Sequence, residues 1–230
     1  MLTLLPASDA IVVVDVLSFS TAVDVVVGNG AHVLPCRWKD DSAARLAREK
    51  NALLASRRRS QVAYSLSPAS LRTIPPGAVL VLPSPNGSTL CLSTNEIPTF
   101  TACLRNAPAV AARIAASFER VAVIPAGERW EDGSLRPSLE DQIGAGAVLS
   151  LLPGAQSPEA ELAVAAFERF RSDLPDSLAR CSSGRELIEK GFRCDVDLAA
   201  EYGVSLAVPM LADGRFVNAG QARAPTAEER

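Results

Sequence analysis

An acid followed by several hydroxyl side chains, close to the start of the chain, is the strongest chemical signal in this sequence. The apolar, β-branched run Ile11–Val14 leads directly into Asp15. Such a run predicts a strand buried on both faces, and an acid at its carboxyl end would lie where open α/β sheets bind ligands. Asp15 is therefore predicted to be a metal ligand or a nucleophile. The alternative is that Asp15 only caps the helix that follows.

The hydroxyls after Asp15 predict an anion site. Ser18, Ser20 and Thr21 would open the next helix, where side-chain and backbone donors can hold an anion.

A second polar turn follows the apolar run Val79–Leu82. Its core is Asn86-Gly87-Ser88. Gly87 permits a close approach of the backbone, and Ser88 would begin a helix, so the N–H groups of this turn can cradle a phosphate. The alternative is a plain Asn-Gly turn.

A long charged loop comes after Val121–Ile124 and ends at Pro137. Loops of this length with glycine hinges usually cover a site. Gly127 is one such hinge, and Arg129 and Arg136 could clamp anions. A solvated surface role for both arginines is the alternative.

Two adjacent acids, Glu140 and Asp141, open the next predicted helix. Acids in a first turn are commonly no more than favourable with the helix dipole. Together with Asp15, however, they would supply the hard oxygen ligands that Mg²⁺ prefers.

Composition excludes several other kinds of site. His32 is the single histidine and the five cysteines are scattered, which excludes His-ligated zinc and argues against zinc ribbons and disulfide frameworks. The net charge of −3 gives no general basic field for a nucleic acid. The absence of a membrane-length apolar run and of a basic leader predicts a cytoplasmic protein that binds no membrane. Chemistry therefore falls to carboxylates, hydroxyls, amides and arginines.

The elements that must position these residues follow an α/β pattern. We predict a largely parallel sheet flanked by helices, with a mainly helical C-terminal third from Leu139 packed on it. The predicted strands are Ile11–Val14, His32–Leu34, Val62–Tyr64, Val79–Leu82, Thr99–Cys103 and Val121–Ile124, and the predicted helices before residue 139 are Ser20–Val27, Asp40–Ala55 and one from Asn106 to Phe118. Leu206–Pro209 and Arg215–Val217 should form a late hairpin around Asp213-Gly214. Residues 1–220 are predicted to be one domain, or two closely packed lobes that divide near residue 137, and residues 221–230 a polar tail.

The chain resembles the 2-phosphosulfolactate phosphatase family, the phosphosulfolactate phosphohydrolases of coenzyme M biosynthesis. The resemblance runs nearly end to end and rests on these short motifs in order: Val14-Asp15-Val16-Leu17 with its hydroxyls, Ser67-Pro68, Asn86-Gly87-Ser88, Gly127-Glu128-Arg129, Glu140-Asp141 with Ala145-Gly146, Ser183-Gly184-Arg185-Glu186-Leu187, Gly191-Phe192 and Val208-Pro209. It implies a Mg²⁺-dependent phosphatase with an α/β fold that releases inorganic phosphate from a small anionic phosphoester.

Two departures from the family pattern concern the substrate. Ser18 stands where the family usually has arginine, and Ser65-Leu66-Ser67-Pro68 replaces the usual Gly-Asn-Ser-Pro. Phosphosulfolactate carries a phosphate, a sulfonate and a carboxylate, so the loss of one guanidinium should weaken its recognition by about 1.5–3 kcal/mol. The native substrate is therefore expected to differ while the chemistry stays the same.

The roles we predict from residue chemistry form three sets. The catalytic residues are Asp15, Arg129 and Glu140; the substrate-binding residues are Ser18, Ser20, Thr21, Asn86, Gly87, Ser88, Gly127 and Arg136; and the Mg²⁺ ligands are Asp15, Glu140 and Asp141, directly or through water.

Two alternatives and two questions stay open. A haloacid-dehalogenase-like phosphatase would use Asp15 as nucleophile, although its second aspartate position holds Leu17. A protein that binds a phosphometabolite without turning it over is the non-enzyme alternative. Direct attack by water and a phosphoenzyme are both compatible with the residues, and so is assembly into a homo-oligomer.

Overall fold

The computed structural model describes residues 7–37, 41–56, 64–94 and 96–220. Its strands are β1 (Ala10–Val14), β2 (His32–Cys36), β3 (Leu53–Leu54), β4 (Val79–Pro83), β5 (Thr99–Ala102), β6 (Val121–Pro125), β7 (Glu128–Arg129), β8 (Leu135–Arg136), β9 (Pro209–Ala212) and β10 (Arg215–Asn218). Six of them begin and end within two residues of a predicted strand, and the short strands β3, β7 and β8 are not among those predicted. The helices are α1 (Phe19–Gly28), α2 (Ser42–Glu49), α3 (Gly87–Cys91), α4 (Ala107–Ala115), α5 (Leu139–Leu149), α6 (Pro158–Phe170), α7 (Leu174–Arg180), α8 (Ser182–Glu189) and α9 (Arg193–Ala199), with 3₁₀ turns at Pro68–Leu71 and Arg171–Asp173.

The main sheet has eight strands in the order β3-β4-β2-β10-β9-β5-β1-β6. Strands β3, β4 and β2 are parallel to one another, and so are β5, β1 and β6. The predicted α/β class with a mostly parallel sheet and a helical C-terminal portion is confirmed. Because β9 and β10 are antiparallel to each other and to both outer neighbours, the two parallel groups run in opposite directions.

The predicted late hairpin is confirmed, and it lies between the two parallel groups. Asp213 and Gly214 have φ values of 49° and 75°, which is the geometry of a two-residue hairpin turn. Its first strand begins at Pro209, three residues later than predicted.

Strand β1 is buried on both faces, as predicted from its β-branched residues. Val12 and Val14 belong to a core cluster with α4 and α5. Ile11 and Val13 belong to a second cluster, around α1. Helices therefore cover both sides of the sheet at this strand, and polar residues at its end are enclosed by the fold.

Helix α1 is buried along almost its whole length, from Phe19 to Val27. The residues packed around it explain this burial: Val33 of β2, Leu80 and Leu82 of β4, and Phe216 of β10 belong to the same core cluster as α1. The chain segments that follow β1 and β4 meet at the start of α1, where the N–H groups of Phe19 and Gly87 both donate to Asp15.

The predicted helix Asp40–Ala55 is wrong in its second half. Helix α2 ends at Glu49, and Asn51 adopts a left-handed φ of 48°, which breaks the helix before β3. Asp40, Val62, Ala63 and the predicted tail 221–230 lie outside the described residues. Within the described ranges, no helix is both long and apolar enough to cross a lipid bilayer.

Candidate active site

Asp15 links three elements at the end of β1. Its Oδ1 accepts a hydrogen bond from the N–H of Phe19 at 3.2 Å, and its Oδ2 accepts one from the N–H of Gly87 at 3.0 Å. The side chain is only 6% exposed. Asp15 therefore does bond to the start of α1, as the capping alternative held, but it also contacts the Asn86–Ser88 turn, which capping alone does not require.

Burial raises the pKa of Asp15 to about 6. The hydrogen bonds that Asp15 accepts from two backbone N–H groups lower its pKa, while the negative charges of Glu128 and Glu140 raise it further. No arginine or lysine among the described residues lies within ion-pair distance of Asp15. The carboxyl consequently sits in a locally negative environment.

The hydroxyls after Asp15 bond to the chain itself. Ser20 Oγ accepts from the N–H of Asp15 at 2.9 Å, and Thr21 Oγ1 donates to the carbonyl of Val16 at 2.7 Å. Both are fully buried, and Ser18 is buried at the N-cap of α1. These contacts shape the turn between β1 and α1; the predicted ligand role of the three hydroxyls stays a prediction.

Gly87 is closely surrounded by other residues, so a glycine is required here even without a bound phosphate. A Cβ atom at this position would lie 2.3 Å from Cδ1 of Phe19 and 2.8 Å from Oδ2 of Asp15. Real Cβ contacts are never so short, so the glycine is required to seat α3 against Asp15. Ser88 Oγ is likewise used internally, donating to the carbonyl of Leu82 at 3.1 Å.

Glu140 and Asp141 are both buried in the first turn of α5, each 3% exposed. Asp141 Oδ1 accepts from the N–H of Val16 at 2.8 Å, and Oδ2 accepts from the N–H of Gly127 at 2.9 Å. Burial and the charges of Asp15 and Glu140 raise the pKa of Asp141 well above its usual value. Surface acids that only favour the helix dipole would be exposed, so the simple dipole interpretation does not account for this pair.

Cys181, the N-cap residue of α8, lies beside Glu140. Burial, reinforced by the charge of Glu140, raises the pKa of the thiol to about 12. The Cys181 thiol therefore remains protonated at neutral pH and is a poor nucleophile.

The predicted loop 125–137 contains a short two-stranded ribbon, β7–β8. Glu128 pairs with Arg136, and Arg129 pairs with Leu135. Cross-strand partners share a face, so Glu128 and Arg136 lie on one side of the ribbon and Arg129 on the other.

The two arginines of this ribbon have different surroundings. Arg136 pairs with Glu186 and donates to Ser183 Oγ, both on α8, and the charges of Glu128 and Glu140 act on it. Arg129 is exposed and donates to the carbonyl of Gly133 at 2.7 Å. The structure thus brings Arg136, and not Arg129, to the acids; the catalytic role of Arg129 stays a prediction.

Glu128 is the residue of this region that the sequence analysis missed. Its Oε1 accepts a hydrogen bond from Asn86 Nδ2 at 2.7 Å. The charge of Glu128 also raises the pKa of Asp15, and its effect is larger than the effect of the charge of Glu140. The available signal was its place next to Gly127 in the Gly127-Glu128-Arg129 motif.

The donor chemistry of the region fits Mg²⁺. Asp15, Glu128, Glu140 and Asp141 provide carboxylate oxygens whose mutual repulsion a divalent cation would relieve. Within the described residues, no three or more acidic, histidine or cysteine side chains are already arranged around one point. Mg²⁺ commonly uses one or two carboxylates and completes its shell with water and substrate phosphate, so such an arrangement is compatible with the ion.

Comparison with known proteins identifies a phosphatase family. The family model described as 2-phosphosulpholactate phosphatase matches residues 3–214. A 2-phosphosulfolactate phosphatase of Methanothermobacter thermautotrophicus is 31% identical over 61% of this chain and 59% of its own length. A probable 2-phosphosulfolactate phosphatase of Symbiobacterium thermophilum is 26% identical over 90% of this chain and 92% of its own length. A further probable member, of Gloeobacter violaceus, is 33% identical over 58% of this chain and 55% of its own length.

Proposed function

We propose that this chain, which belongs to the 2-phosphosulpholactate phosphatase family, is a Mg²⁺-dependent phosphatase that hydrolyses a small anionic phosphoester to an alcohol and inorganic phosphate. The observation that carries the proposal is the hydrogen bond between Asp15 Oδ2 and the N–H of Gly87. It joins a buried acid to the turn that the sequence predicts as the phosphate cradle. Phosphoryl transfer asks chiefly for positioning and charge neutralisation, and both requirements suit this combination.

The residues of this chain would divide the work between them. Asp15, Glu140 and Asp141 would hold Mg²⁺, directly or through water, and the ion would neutralise charge on the phosphoryl oxygens. The Asn86–Ser88 turn would orient the phosphoryl group. Arg136, on which the charges of Glu128 and Glu140 act, would offset charge on the leaving alkoxide or on a second anionic group of the substrate.

The substrate class follows from the family and from Ser18. The relatives are named for 2-phosphosulfolactate, and other 2-phospho-carboxylates offer a phosphate beside a second anion. With Ser18 in place of the family's usual arginine, a substrate with two anionic groups should lose less affinity here than a substrate with three.

The first experiment measures phosphate release from a panel of 2-phospho-carboxylates, with Mg²⁺ and with excess chelator. We expect turnover only with the cation, and a loss of about a thousandfold or more in Asp15→Asn, because a metal ligand contributes several kcal/mol to the transition state. Glu131→Gln, an exposed acid of the same loop, is the matched control.

A second readout of the cation does not depend on turnover. Mg²⁺ should raise the melting temperature of the parent and of Glu131→Gln but not of Asp15→Asn, since a ligand stabilises only the state that binds it. Turnover that persists in chelator, or an Asp15→Asn variant within a few-fold of the parent, would exclude the proposal.

A further inference from the structure

The side chain of Asn86 has an unusual hydrogen-bond partner for an N-cap residue. Asn86 occupies the N-cap position of α3, where asparagine normally accepts a hydrogen bond from the second or third N–H of its helix. No such bond forms here. Instead, the amide Nδ2 is donated to Glu128 Oε1 at 2.7 Å, across 42 positions of the chain.

Glu128 is held firmly enough to direct that amide. Its strand pairs with β8 opposite Arg136, and its Oε1 also accepts the N–H of Arg129 at 3.0 Å. The residue before it, Gly127, is fixed through its own N–H to the buried carboxylate of Asp141. Contacts therefore run from the first turn of α5 through the β7–β8 ribbon to Asn86.

We propose that Glu128 is a positioning residue for Asn86. It keeps the Asn86 side chain turned toward the ribbon and away from the backbone donors of its own turn, so that the turn meets the phosphoryl group in one fixed arrangement. This inference rests on the proposed function, because it assigns Glu128 a task within the same phosphate site. In this role the Glu128 side chain acts by accepting the hydrogen bond of the Asn86 amide, and it transfers no proton.

A comparison of Glu128→Gln with Glu128→Ala isolates this role at equal charge. Both variants remove the carboxylate, but glutamine keeps an oxygen that can accept the Asn86 amide and alanine does not. With inorganic phosphate as the probe and Mg²⁺ present, calorimetry should give about tenfold weaker binding for Glu128→Ala than for Glu128→Gln, about 1.4 kcal/mol. The ratio of their KM values should follow, while their kcat values differ by less. Glu131→Ala controls for a change in the segment that joins β7 to β8.

The same pair of substitutions in an Asn86→Ala background completes the cycle. If Glu128 acts through Asn86, its alanine and glutamine variants should then bind phosphate within about twofold of each other, because coupled residues lose their joint effect together. Equal phosphate affinity of the two variants with Asn86 present would overturn the inference. So would a tenfold difference in phosphate affinity that persists without Asn86.

The binding measurement separates the inference from the proposed function. If the parent protein binds phosphate but releases none from any ester, only the proposed phosphatase activity is contradicted. The phosphate affinities of the Glu128 variants, with and without Asn86→Ala, still test the role of Glu128. A parent that binds no phosphate contradicts both.

Discussion

At the scale of single residues, two buried aspartates in and next to α1, Asp15 and Asp24, differ in their hydrogen-bond and ion-pair partners. Asp24, near the middle of α1, pairs with Arg105 Nε at 2.8 Å and accepts a hydrogen bond from Ser205 Oγ at 2.6 Å. Asp15 has backbone N–H groups as partners and other acids nearby. Burial raises the pKa of both, so the raised pKa is no mark of function by itself. The missing cationic partner is what distinguishes Asp15 as a site residue.

This environment predicts how stability depends on pH. The pKa of Asp15 lies at about 6 in the folded protein, above its usual value of 3.8, so the folded state binds the proton more tightly than the unfolded state. The contribution of Asp15 to the free energy of unfolding should therefore be full below about pH 4 and fall by about 3 kcal/mol as the pH rises through 6. Asp15→Asn, which does not titrate, should flatten that fall.

Denaturant unfolding between pH 4 and pH 8 in buffer free of divalent cations tests this expectation. Asp132→Asn is the control, because Asp132 is exposed and its pKa is lowered by bonds from Ser134. An equal slope in the parent and in Asp15→Asn would show that Asp15 titrates normally.

At the scale of elements, close contact between α5 and α6 fixes the helix that carries Glu140 and Asp141. Gly146 allows this contact, since a Cβ there would lie 1.9 Å from the carbonyl oxygen of Ala163. The obstacle is backbone, which cannot turn aside as a side chain can. The position of two site acids thus depends on a glycine at the far end of their helix.

Gly146→Ala should lower the free energy of unfolding by about 1–3 kcal/mol, the usual cost of overpacking, and reduce turnover because α5 must shift. Gly28→Ala at the end of α1 is the matched control, since its nearest neighbours lie at 3.8 Å and 3.9 Å. Thermal unfolding of both variants decides the point. A neutral Gly146→Ala would mean that α5 and α6 separate without cost.

At the scale of the whole molecule, residues from the end of the chain complete the centre of the sheet. The β9–β10 hairpin joins the two parallel groups, and Phe216 of β10 packs in the cluster around α1 with its ring edge-on to Phe19 at 6.1 Å. From this arrangement we expect one cooperative domain and not two lobes that divide near residue 137.

Calorimetry should accordingly show one unfolding transition whose van't Hoff and calorimetric enthalpies agree. Phe216→Ala should lower the free energy of unfolding by about 3–5 kcal/mol, the usual cost of a large core truncation, without splitting the transition. Val204→Ala, at an exposed position, should leave it nearly unchanged. Two resolved transitions would favour the two-lobe alternative.

The sequence by itself determined the features that depend on neighbours along the chain. The β-branched run before Asp15 identifies β1. Successive side chains of a strand point to opposite faces, so a run of apolar residues without alternation predicts burial on both faces. Asp213-Gly214 identifies the late hairpin because both residues tolerate positive φ. The short motifs, in order, identified the family.

Only the tertiary structure decided which of these residues meet. Glu128 faces Asn86, and Arg129 faces away, because of a two-residue pairing that no local pattern announces. The central place of the β9–β10 hairpin and the opposite senses of the two parallel groups likewise arise from pairings between distant segments. Local period fixes which face of a strand is apolar. Which strand lies beside it, and therefore which polar side chains share a site, depends on which distant segments pair in the sheet.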